Sequence, residues 1–448
     1  MFPWDQPYRY LPLPEPRSIR LLRLGESWSF PSYCDGCPSD SHGWDLVTVS
    51  LDDATSFLAI SYVWGDPRRK GKLRGPQGTL NLSESVSSII HHLSSTYERP
   101  LHVWIDALCI DQASMEEKRT QLPLMRDIYK TAVQVIGWLG DVSVFDFYPG
   151  TRTNASHSLK DAADAITSYA KRGDANEIFQ RLRAGQREIV CQCRRDRGRE
   201  LLHTFDSLFS RKWFHRTWVF QEIVCGSLVV ITFQNRARDM VQEILWDDLF
   251  LYLHNHNLLQ FDENIDNMEH IYGSSNVCIT AGRRYLRQQT RTQTSLQTLL
   301  TEVSSTLEAT DPRDRIYGLV GLSSDIRFED LKPAYSESVQ SVYIETASLL
   351  LTSRRDPNPF PFALLSFAGI GRARNFEGLP SWVPDWTSAT HRLYFVRNPV
   401  CIEESHFEKI SGRAGFDATQ GATYDVPYVS QNRLVQQFSQ SQDSSSTV

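Results

Sequence analysis

The chain has 448 residues, enough for two or three domains at about 150 residues each. Hydrophobic residues make up 41% of it and charged residues 22%, which excludes a mostly disordered chain and allows a large buried core. Acidic residues outnumber Lys and Arg by 53 to 47, and the resulting net charge of −6 argues against a dedicated binder of nucleic acids or anionic membranes.

The first part of the chain alternates strand and helix patterns. Residues 1–54 are a Pro-rich lead-in with an edge strand at 19–24. Apolar runs at 57–63, 101–105 and 133–139 predict three buried strands. Helical spacing predicts a helix from the Ser83 cap to residue 97 and another over 116–132. This β-α-β-α-β order is typical of a parallel α/β sheet.

The second part departs from that alternation. Residues 142–200 predict a polar helical insertion, followed by helices at 201–209 and 216–224 and a strand at 227–233. We therefore expect one α/β domain over 55–235 and a mainly helical region over 236–390. The remainder, 391–448, is a divergent tail whose Ser- and Gln-rich end predicts disorder from about residue 429.

Targeting signals and metal ligands are not evident. The N-terminus does not have the pattern of a secretory signal, and no run of about 18 apolar residues predicts a membrane span. Eight cysteines are sparse for this length, and Cys34 and Cys37 have no second pair at zinc-ribbon spacing. We expect reduced thiols, a cytoplasmic location and no metal.

Polar residues follow the three predicted strands at one edge of the sheet. Ligands of open α/β sheets bind outside the carboxyl ends of the strands, so these residues form a candidate rim. The polar rim residues are Ser61, Asp66, Asp106, Asp111, Gln112 and Asp141, and the candidate ligand-binding rim also includes Trp64, Gly65 and Trp218. The same residue types also make turns and helix caps, and composition alone does not separate the two interpretations.

Other reactive side chains have more ordinary interpretations. No G-x-G-x-x-G follows the first strand, and no G-x-x-x-x-G-K-[ST], H-E-x-x-H or G-x-S-x-G occurs. Cys109 follows a strand within an apolar stretch, which indicates a buried inert thiol. His91 and His92 are expected at a helix surface.

The segment KWFHRTWVFQE at 212–222 is the densest in aromatic and charged residues. Trp218, Gln221 and Glu222 share nearly one helical face. A carboxylate beside aromatic rings in a cleft has its charged form disfavoured, which suits an acid/base or ribose-binding group. The alternative is a structural ion pair between Glu222 and Arg216 or Arg211.

Several Trp-containing motifs resemble, in their sequence and in their order along the chain, the fungal heterokaryon incompatibility (HET) domain. They are AISYVWGD (59–66), VWIDALCIDQ (103–112), a pattern ending in VIGWLG (125–140) and RTWVFQE (216–222). DPRDRIYGLVGL (311–322), AYSESVQSVY (334–343) and LPSWVPDW (379–386) resemble the segments that usually follow. The resemblance implies a cytosolic fungal protein of non-self recognition and programmed cell death.

HET domains in turn resemble the Toll/interleukin-receptor (TIR) domain, which has a flavodoxin-like sheet. The segment 57–69 is similar to the first TIR strand and its loop, and WVFQE at 218–222 to the TIR Trp-Cys-x-x-Glu helix, with Val219 in place of cysteine. In TIR enzymes that glutamate cleaves NAD at the nicotinamide–ribose bond. The resemblance therefore implies Glu222 as a catalytic residue, with Trp218 beside it and NAD as a substrate.

Three hypotheses follow for the function. The first is an incompatibility effector that acts by self-association or with other incompatibility proteins. The second is an enzyme that kills by consuming NAD, and no other cofactor is implied. The third is a non-toxic scaffold or regulator.

Overall fold

A seven-stranded mixed sheet forms the centre of the fold. A computed structural model describes residues 6–26, 43–53, 55–65, 69–75, 77–141, 208–235, 240–255, 272–285, 287–288, 294–303, 306–352, 364–368 and 374–388. The strands are β1 (Ser18–Leu24), β2 (Trp44–Ser50), β3 (Leu58–Tyr62), β4 (Arg69–Gly75), β5 (Gly78–Ser83), β6 (Leu101–Trp104), β7 (Gln134–Asp141), β8 (Val229–Asn235) and β9 (Met240–Leu245). All except β4 and β5, which form a separate hairpin, belong to the sheet, in the order β2-β1-β6-β3-β7-β8-β9.

The helices pack on this sheet and continue beyond it. In chain order they are α1 (Glu84–Thr96), α2 (Asp106–Cys109), α3 (Met115–Gln121), α4 (Met125–Thr131), α5 (Thr217–Cys225), α6 (Trp246–Asn255), α7 (Tyr272–Tyr285), α8 (Leu296–Val303), α9 (Asp314–Val320), α10 (Val339–Thr352) and α11 (Leu365–Ala368). Short 3₁₀ turns lie at Leu122–Leu124 and Lys212–His215. Among the described residues beyond 245, the regular elements are the helices α6 to α11.

The four central strands are parallel and the outer ones are antiparallel. β3 pairs in parallel with β6 and with β7, and β7 pairs in parallel with β8. β1, β2 and β9 run antiparallel to their neighbours. The predicted parallel sheet thus describes only the centre. β2 and β9 were not predicted, and β1 is not an edge strand because β2 covers its outer side.

The order of the parallel strands places a crevice between β3 and β7. Across the sheet the four parallel strands lie in the order β6-β3-β7-β8. The first of them in the chain, β3, therefore lies between the second, β6, and the third, β7. The chain leaves β3 toward one side for β6 and then crosses to the other side for β7, so the strand order reverses at this point. Ligands of open α/β sheets bind at such a reversal, outside the carboxyl ends of the strands. Tyr62 at the end of β3 is level with Trp138 on β7.

The local sequence accounts for the helices that flank this crevice. The Ser83 hydroxyl accepts a hydrogen bond from the backbone N–H of Val86 at 3.2 Å and caps α1. The helix predicted over 116–132 is instead divided into α3, a 3₁₀ turn and α4. Pro123 lies in that turn, and a proline lacks the N–H that a continuous α-helix needs. The predicted insertion at 142–200 and the tail at 391–448 lie outside the described residues.

Candidate functional site

A cleft of about 1360 Å³ opens at the carboxyl ends of β3 and β7. From the sheet side it is lined by Trp64, Gly65, Asp106, Gln112, Trp138, Arg216, Trp218 and Glu222. From the C-terminal region it is lined by Glu308, Thr310, Asp311, Arg313, Asp314 and Tyr335. Both parts of the chain therefore build the wall of this cleft.

Glu222 lies on α5 and reaches the cleft from a buried position. Its side chain is only 5% exposed, and burial raises the pKa of its carboxyl from 4.5 to about 7. The charge of Arg216 and the hydroxyls of Ser61 and Tyr129 act in the opposite direction and lower the pKa. Among the described residues its Oε2 atom has no hydrogen-bond partner. Near neutral pH the Glu222 carboxyl is therefore about half ionised. Its Oε2 atom is free to accept a hydrogen bond.

Arg216 precedes α5 and supplies positive charge to the cleft. Its Nη1 atom donates a hydrogen bond to the backbone carbonyl of Tyr62 at the end of β3. Its charge lowers the pKa of three carboxyl groups, those of Glu222, Asp106 and Asp314. Arg216 therefore does not form an exclusive ion pair with Glu222. Its charge acts on all three carboxyls, while its hydrogen bond to Tyr62 holds it at the sheet.

Asp106 begins α2, and only Ile105 separates it from the end of β6. The Trp64 indole donates a hydrogen bond to its Oδ2 at 2.7 Å, and the backbone N–H of Ala107 donates to its Oδ1 at 2.7 Å. Burial raises the pKa of Asp106 despite these donors. Gln112 Nε2 donates to the Asp106 backbone carbonyl at 2.8 Å, which closes the turn. Asp106 and Trp64 therefore belong to the cleft, and Gln112 both lines it and stabilises the loop.

The remaining rim residues have separate outcomes. Asp111 accepts a hydrogen bond from the backbone N–H of Ala113 at 3.0 Å and stabilises its own turn, the structural alternative considered above. Gly65 has a positive φ of 69°, a conformation that favours glycine. Asp66 lies outside the described residues. Asp141 is the last residue of β7.

Ser61 is buried at the end of β3, directly beneath the cleft. Its Oγ accepts a hydrogen bond of 2.9 Å from the indole of Trp213, and its hydroxyl lowers the pKa of Glu222. Trp213 is 1% exposed and packs against Phe214 with ring centroids 4.9 Å apart. Ser61 was predicted at the rim, but its side chain is 1% exposed and therefore lies beneath the surface of the cleft, where its hydroxyl interacts with the Glu222 carboxyl.

The cleft residues from the C-terminal region were not predicted as site residues, and two of them, Asp314 and Tyr335, are joined by a hydrogen bond. The Tyr335 hydroxyl donates to Asp314 Oδ1 at 2.5 Å, and the Trp218 side chain is a further hydrogen-bond partner of this carboxyl. Burial raises the pKa of Asp314. Asp311 lies three residues before Asp314, which is the first residue of α9. The available signal was the resemblance of 311–322 and 334–343 to segments that follow a HET domain.

Backbone contacts attach the part of the cleft wall formed by the C-terminal region to the part on the sheet side. Residue 308 pairs with residue 216 as a short parallel bridge. The backbone N–H of Thr217 donates to the Glu308 carbonyl at 2.9 Å, and its Oγ1 donates to the same carbonyl at 3.0 Å. The beginning of α5 is thus held by the C-terminal region.

Cys109 and the histidine pair lie away from this chemistry. Cys109 is 1% exposed, and burial raises the pKa of its thiol to about 12, which confirms a buried inert thiol. His91 is exposed as predicted. The prediction for His92 was wrong, because its ring is buried against Trp138 with centroids 5.2 Å apart.

Neither a metal site nor a membrane-spanning helix occurs among the described residues. No three His, Cys, Asp or Glu side chains converge as a metal site requires anywhere in the described part of the chain. None of the helices described there has both the length and the apolar character needed to cross a membrane.

The fold and the site together define an α/β protein with a candidate active site at the reversal of its strand order. Residues 57–222 match the family model described as "Heterokaryon incompatibility protein (HET)". "Heterokaryon incompatibility protein 6, OR allele" of Neurospora crassa is 26% identical over 418 residues, covering 84% of this chain and 58% of that protein. The chain therefore spans less than two thirds of this relative's length. No solved structure matches it. The two matches support a relationship to the HET family.

Proposed function

We propose that this protein acts in heterokaryon incompatibility, as a cytoplasmic effector of non-self recognition and programmed cell death. The match of residues 57–222 to the HET family carries the proposal, and the relative from Neurospora crassa supports it. The partners would be other incompatibility proteins or further copies of this chain.

Controlled expression in a filamentous fungus tests this role. We expect induction to arrest growth and to kill cells, as a known incompatibility protein does in a parallel strain. Normal growth at matched protein levels would contradict an effector and favour the alternative of a non-toxic scaffold or regulator.

A second proposal is that the protein cleaves NAD at the nicotinamide–ribose bond, as TIR enzymes do. The observation that favours it is Glu222, a buried carboxyl with a pKa of about 7 and an unpartnered Oε2 that lines the cleft. The order of the four parallel strands supports it too, because flavodoxin-like sheets begin with the same arrangement. In such sheets the ligand lies at the reversal of strand order, where Glu222 is found.

The main requirement of NAD cleavage is a carboxylate placed beside the ribose. The bond between ribose C1′ and the pyridinium nitrogen breaks, and its electron pair leaves with neutral nicotinamide. The ionised Glu222 stabilises the oxocarbenium-like ribose through its Oε2, as carboxylates do in glycoside cleavage. Water then adds its oxygen to C1′ and releases one proton. Ser61 and Arg216 lower the pKa of this carboxyl and thus favour its ionised form.

The test is NAD cleavage by the purified full chain, followed by chromatography of nicotinamide. We expect Glu222→Gln to lower the rate by about 100-fold or more, since the amide cannot stabilise positive charge on ribose. Asp111→Asn is the matched control, because Asp111 is a nearby carboxylate whose oxygen stabilises a turn. Complete stability of NAD over hours with folded protein would refute the enzymatic proposal.

A further inference from the structure

The Tyr129 hydroxyl on α4 lies between two acceptors. It donates a hydrogen bond to the backbone carbonyl of Ile60 on β3 at 3.1 Å, and it is also a hydrogen-bond partner of the Glu222 carboxyl on α5. A tyrosine hydroxyl carries a single hydrogen, so it makes one full hydrogen bond as a donor at a time. The carbonyl and the carboxylate therefore compete for the same hydrogen.

The ring of Tyr129 is fixed, whereas the direction of its hydroxyl hydrogen is not. The side chain is 1% exposed, and its ring meets the Trp104 ring edge-on with centroids 5.5 Å apart. Rotation about the bond between the ring and the oxygen moves the hydrogen alone. Tyr129 can therefore change its acceptor without any movement of the packed core.

The Ser61 hydroxyl, the other hydroxyl at Glu222, is arranged differently. Its oxygen accepts a hydrogen bond from the Trp213 indole at 2.9 Å, and its own hydrogen is directed to the Glu222 carboxyl. Ser61 therefore supplies a constant donor, and Tyr129 supplies a donor that depends on the state of the carboxyl.

Charged groups from several elements set the background for this exchange. Arg216 lowers the pKa of Glu222 and Asp106 raises it. The same cleft is also lined by Lys118 from α3, Arg211 and Lys212 from the segment before α5, and Asp314 from α9. These charges are present whether or not residue 129 carries a hydroxyl, so a change at that residue isolates the contribution of the hydrogen bond.

We propose that Tyr129 is a positioning residue whose hydroxyl hydrogen turns from the Ile60 carbonyl to the Glu222 carboxylate when Glu222 ionises. While Glu222 is neutral, its proton is donated to the Tyr129 oxygen, and Tyr129 donates to Ile60. When that proton leaves to solvent, the hydroxyl turns and stabilises the carboxylate. Tyr129 keeps its own hydrogen throughout. The inference rests on the carboxyl of the proposed NAD cleavage, but it concerns ionisation and not turnover.

Tyr129→Phe removes the hydroxyl and keeps the ring. The parent and this variant are each compared with the same chain carrying Glu222→Gln, by thermal unfolding of the full chain from about pH 4.5 to 9. In the parent, the stability gap between Glu and Gln stops widening once the pH passes the folded pKa of Glu222, about 7. Without the hydroxyl the carboxylate loses a donor, so we expect the widening to stop about one pH unit higher. The same end point, or a lower one, would overturn the proposal.

Tyr343→Phe is the matched control. Tyr343 is also buried, and its hydroxyl donates to a backbone carbonyl, that of Pro312, at 2.9 Å. This variant should lose stability at every pH and leave the end point where it is in the parent. An equal shift in both variants would contradict a specific role of Tyr129.

A second substitution covers the case in which Tyr129→Phe does not fold. Site-specific incorporation of 3-fluorotyrosine at position 129 keeps the hydroxyl and makes it a stronger donor. The stronger donor should move the end point to lower pH, and an unmoved end point would overturn the proposal.

The outcomes for Tyr129 and for NAD cleavage are distinguishable, because the stability measurement needs no substrate. A shifted end point in a chain that leaves NAD intact would retain the role of Tyr129 and refute the hydrolase. If NAD is cleaved, Tyr129→Phe should move the pH midpoint of the rate upward and retain most of the rate at alkaline pH, whereas a structural defect lowers the rate at every pH. Cleavage with an unmoved midpoint would retain the hydrolase and overturn the role of Tyr129.

Discussion

The indole of Trp213 donates a hydrogen bond of 2.9 Å to the hydroxyl oxygen of Ser61, 152 residues earlier in the chain. Both side chains are 1% exposed. The bond joins the end of β3 to the 3₁₀ turn that leads into α5, the helix that carries Glu222. It therefore fixes the sheet and the catalytic candidate relative to each other.

Loss of this bond should destabilise the protein. Ser61→Ala leaves the buried Trp213 N–H without its acceptor, which costs about 1–3 kcal/mol of the free energy of unfolding. Denaturant unfolding measures the change. Ser227→Ala is the control, because Ser227 is exposed and donates to the Lys130 carbonyl at 3.2 Å. Equal stability of the two variants would show that the buried bond contributes nothing.

The close contact between Gly137 and Trp213 gives a second prediction. A Cβ at Gly137 would lie 2.5 Å from the Trp213 ring, so Gly137→Ala must displace a packed indole. We expect it to cost about 1–3 kcal/mol of stability and to weaken any activity that depends on α5. Gly140 is the contrast: its φ is 76° but nothing lies within 4 Å of an added Cβ.

Thermal unfolding and near-UV circular dichroism distinguish these two variants. Gly140→Ala should lower stability by about 1–2 kcal/mol through backbone strain and leave the tryptophan signal unchanged. Gly137→Ala should alter that signal as well. An unchanged tryptophan environment in Gly137→Ala would contradict the packing described here.

The sequence predicted the strands and helices whose patterns are local. The run FLAISYV predicted β3, and the Ser83 cap predicted the start of α1. Burial and capping both depend on residues that are neighbours in the sequence. Pairing partners leave no such signature, so β2 and β9 were missed and β1 was placed at an edge. At the site, Asp106 and Trp64 were predicted at the rim because they follow closely after the strands. Asp314 was not found, because its approach to Trp218 depends on how α9 packs on α5.

The buried Cys109 thiol should be unreactive toward alkylating reagents in the folded protein. Its pKa of about 12 and its 1% exposure predict no alkylation by iodoacetamide at pH 8 while the protein is folded. Peptide mapping by mass spectrometry measures labelling at each cysteine. Complete labelling in denaturant is the control, and rapid labelling of Cys109 in native buffer would contradict its burial.

Arg284 holds the end of α5 in place. It is 1% exposed, pairs with Asp247 at 2.9 Å and donates to the Ile223 carbonyl at 2.8 Å and the Ser227 carbonyl at 3.1 Å. Arg284→Met should lower the free energy of unfolding by about 1–3 kcal/mol, because it leaves the carbonyls of Ile223 and Ser227 without this donor, while Asp247 is 44% exposed and can be solvated.

An exposed ion pair provides the control for Arg284. Arg23 pairs with Asp45 at 2.7 Å, and its side chain is 48% exposed. Arg23→Met should cost about 1 kcal/mol or less, since solvent screens such pairs. Equal losses in the two variants, measured by denaturant unfolding, would contradict the anchoring role of Arg284.

Glu222 should make the stability of the protein depend on pH in a particular direction. Its pKa is about 7 in the folded chain against 4.5 for an ordinary glutamate, because burial outweighs the opposing effects of Arg216, Ser61 and Tyr129, while Asp106 adds to the rise. Between pH 4.5 and 7 the unfolded chain has lost a proton that the folded chain still holds. Ionisation of this group therefore favours unfolding as the pH rises through that range.

Glu222→Gln removes this titration and keeps the shape of the side chain. We expect the variant and the parent to be nearly equal in stability at pH 4.5, and the variant to be more stable by on the order of 3 kcal/mol at pH 8. Thermal unfolding of the variant and the parent across this pH range measures the difference. A stability gap that is constant with pH, or that closes as the pH rises, would mean that Glu222 is ionised in the folded protein well below pH 7. Its role as a poised carboxyl in the cleft would then be refuted, whatever the outcome of the NAD assay.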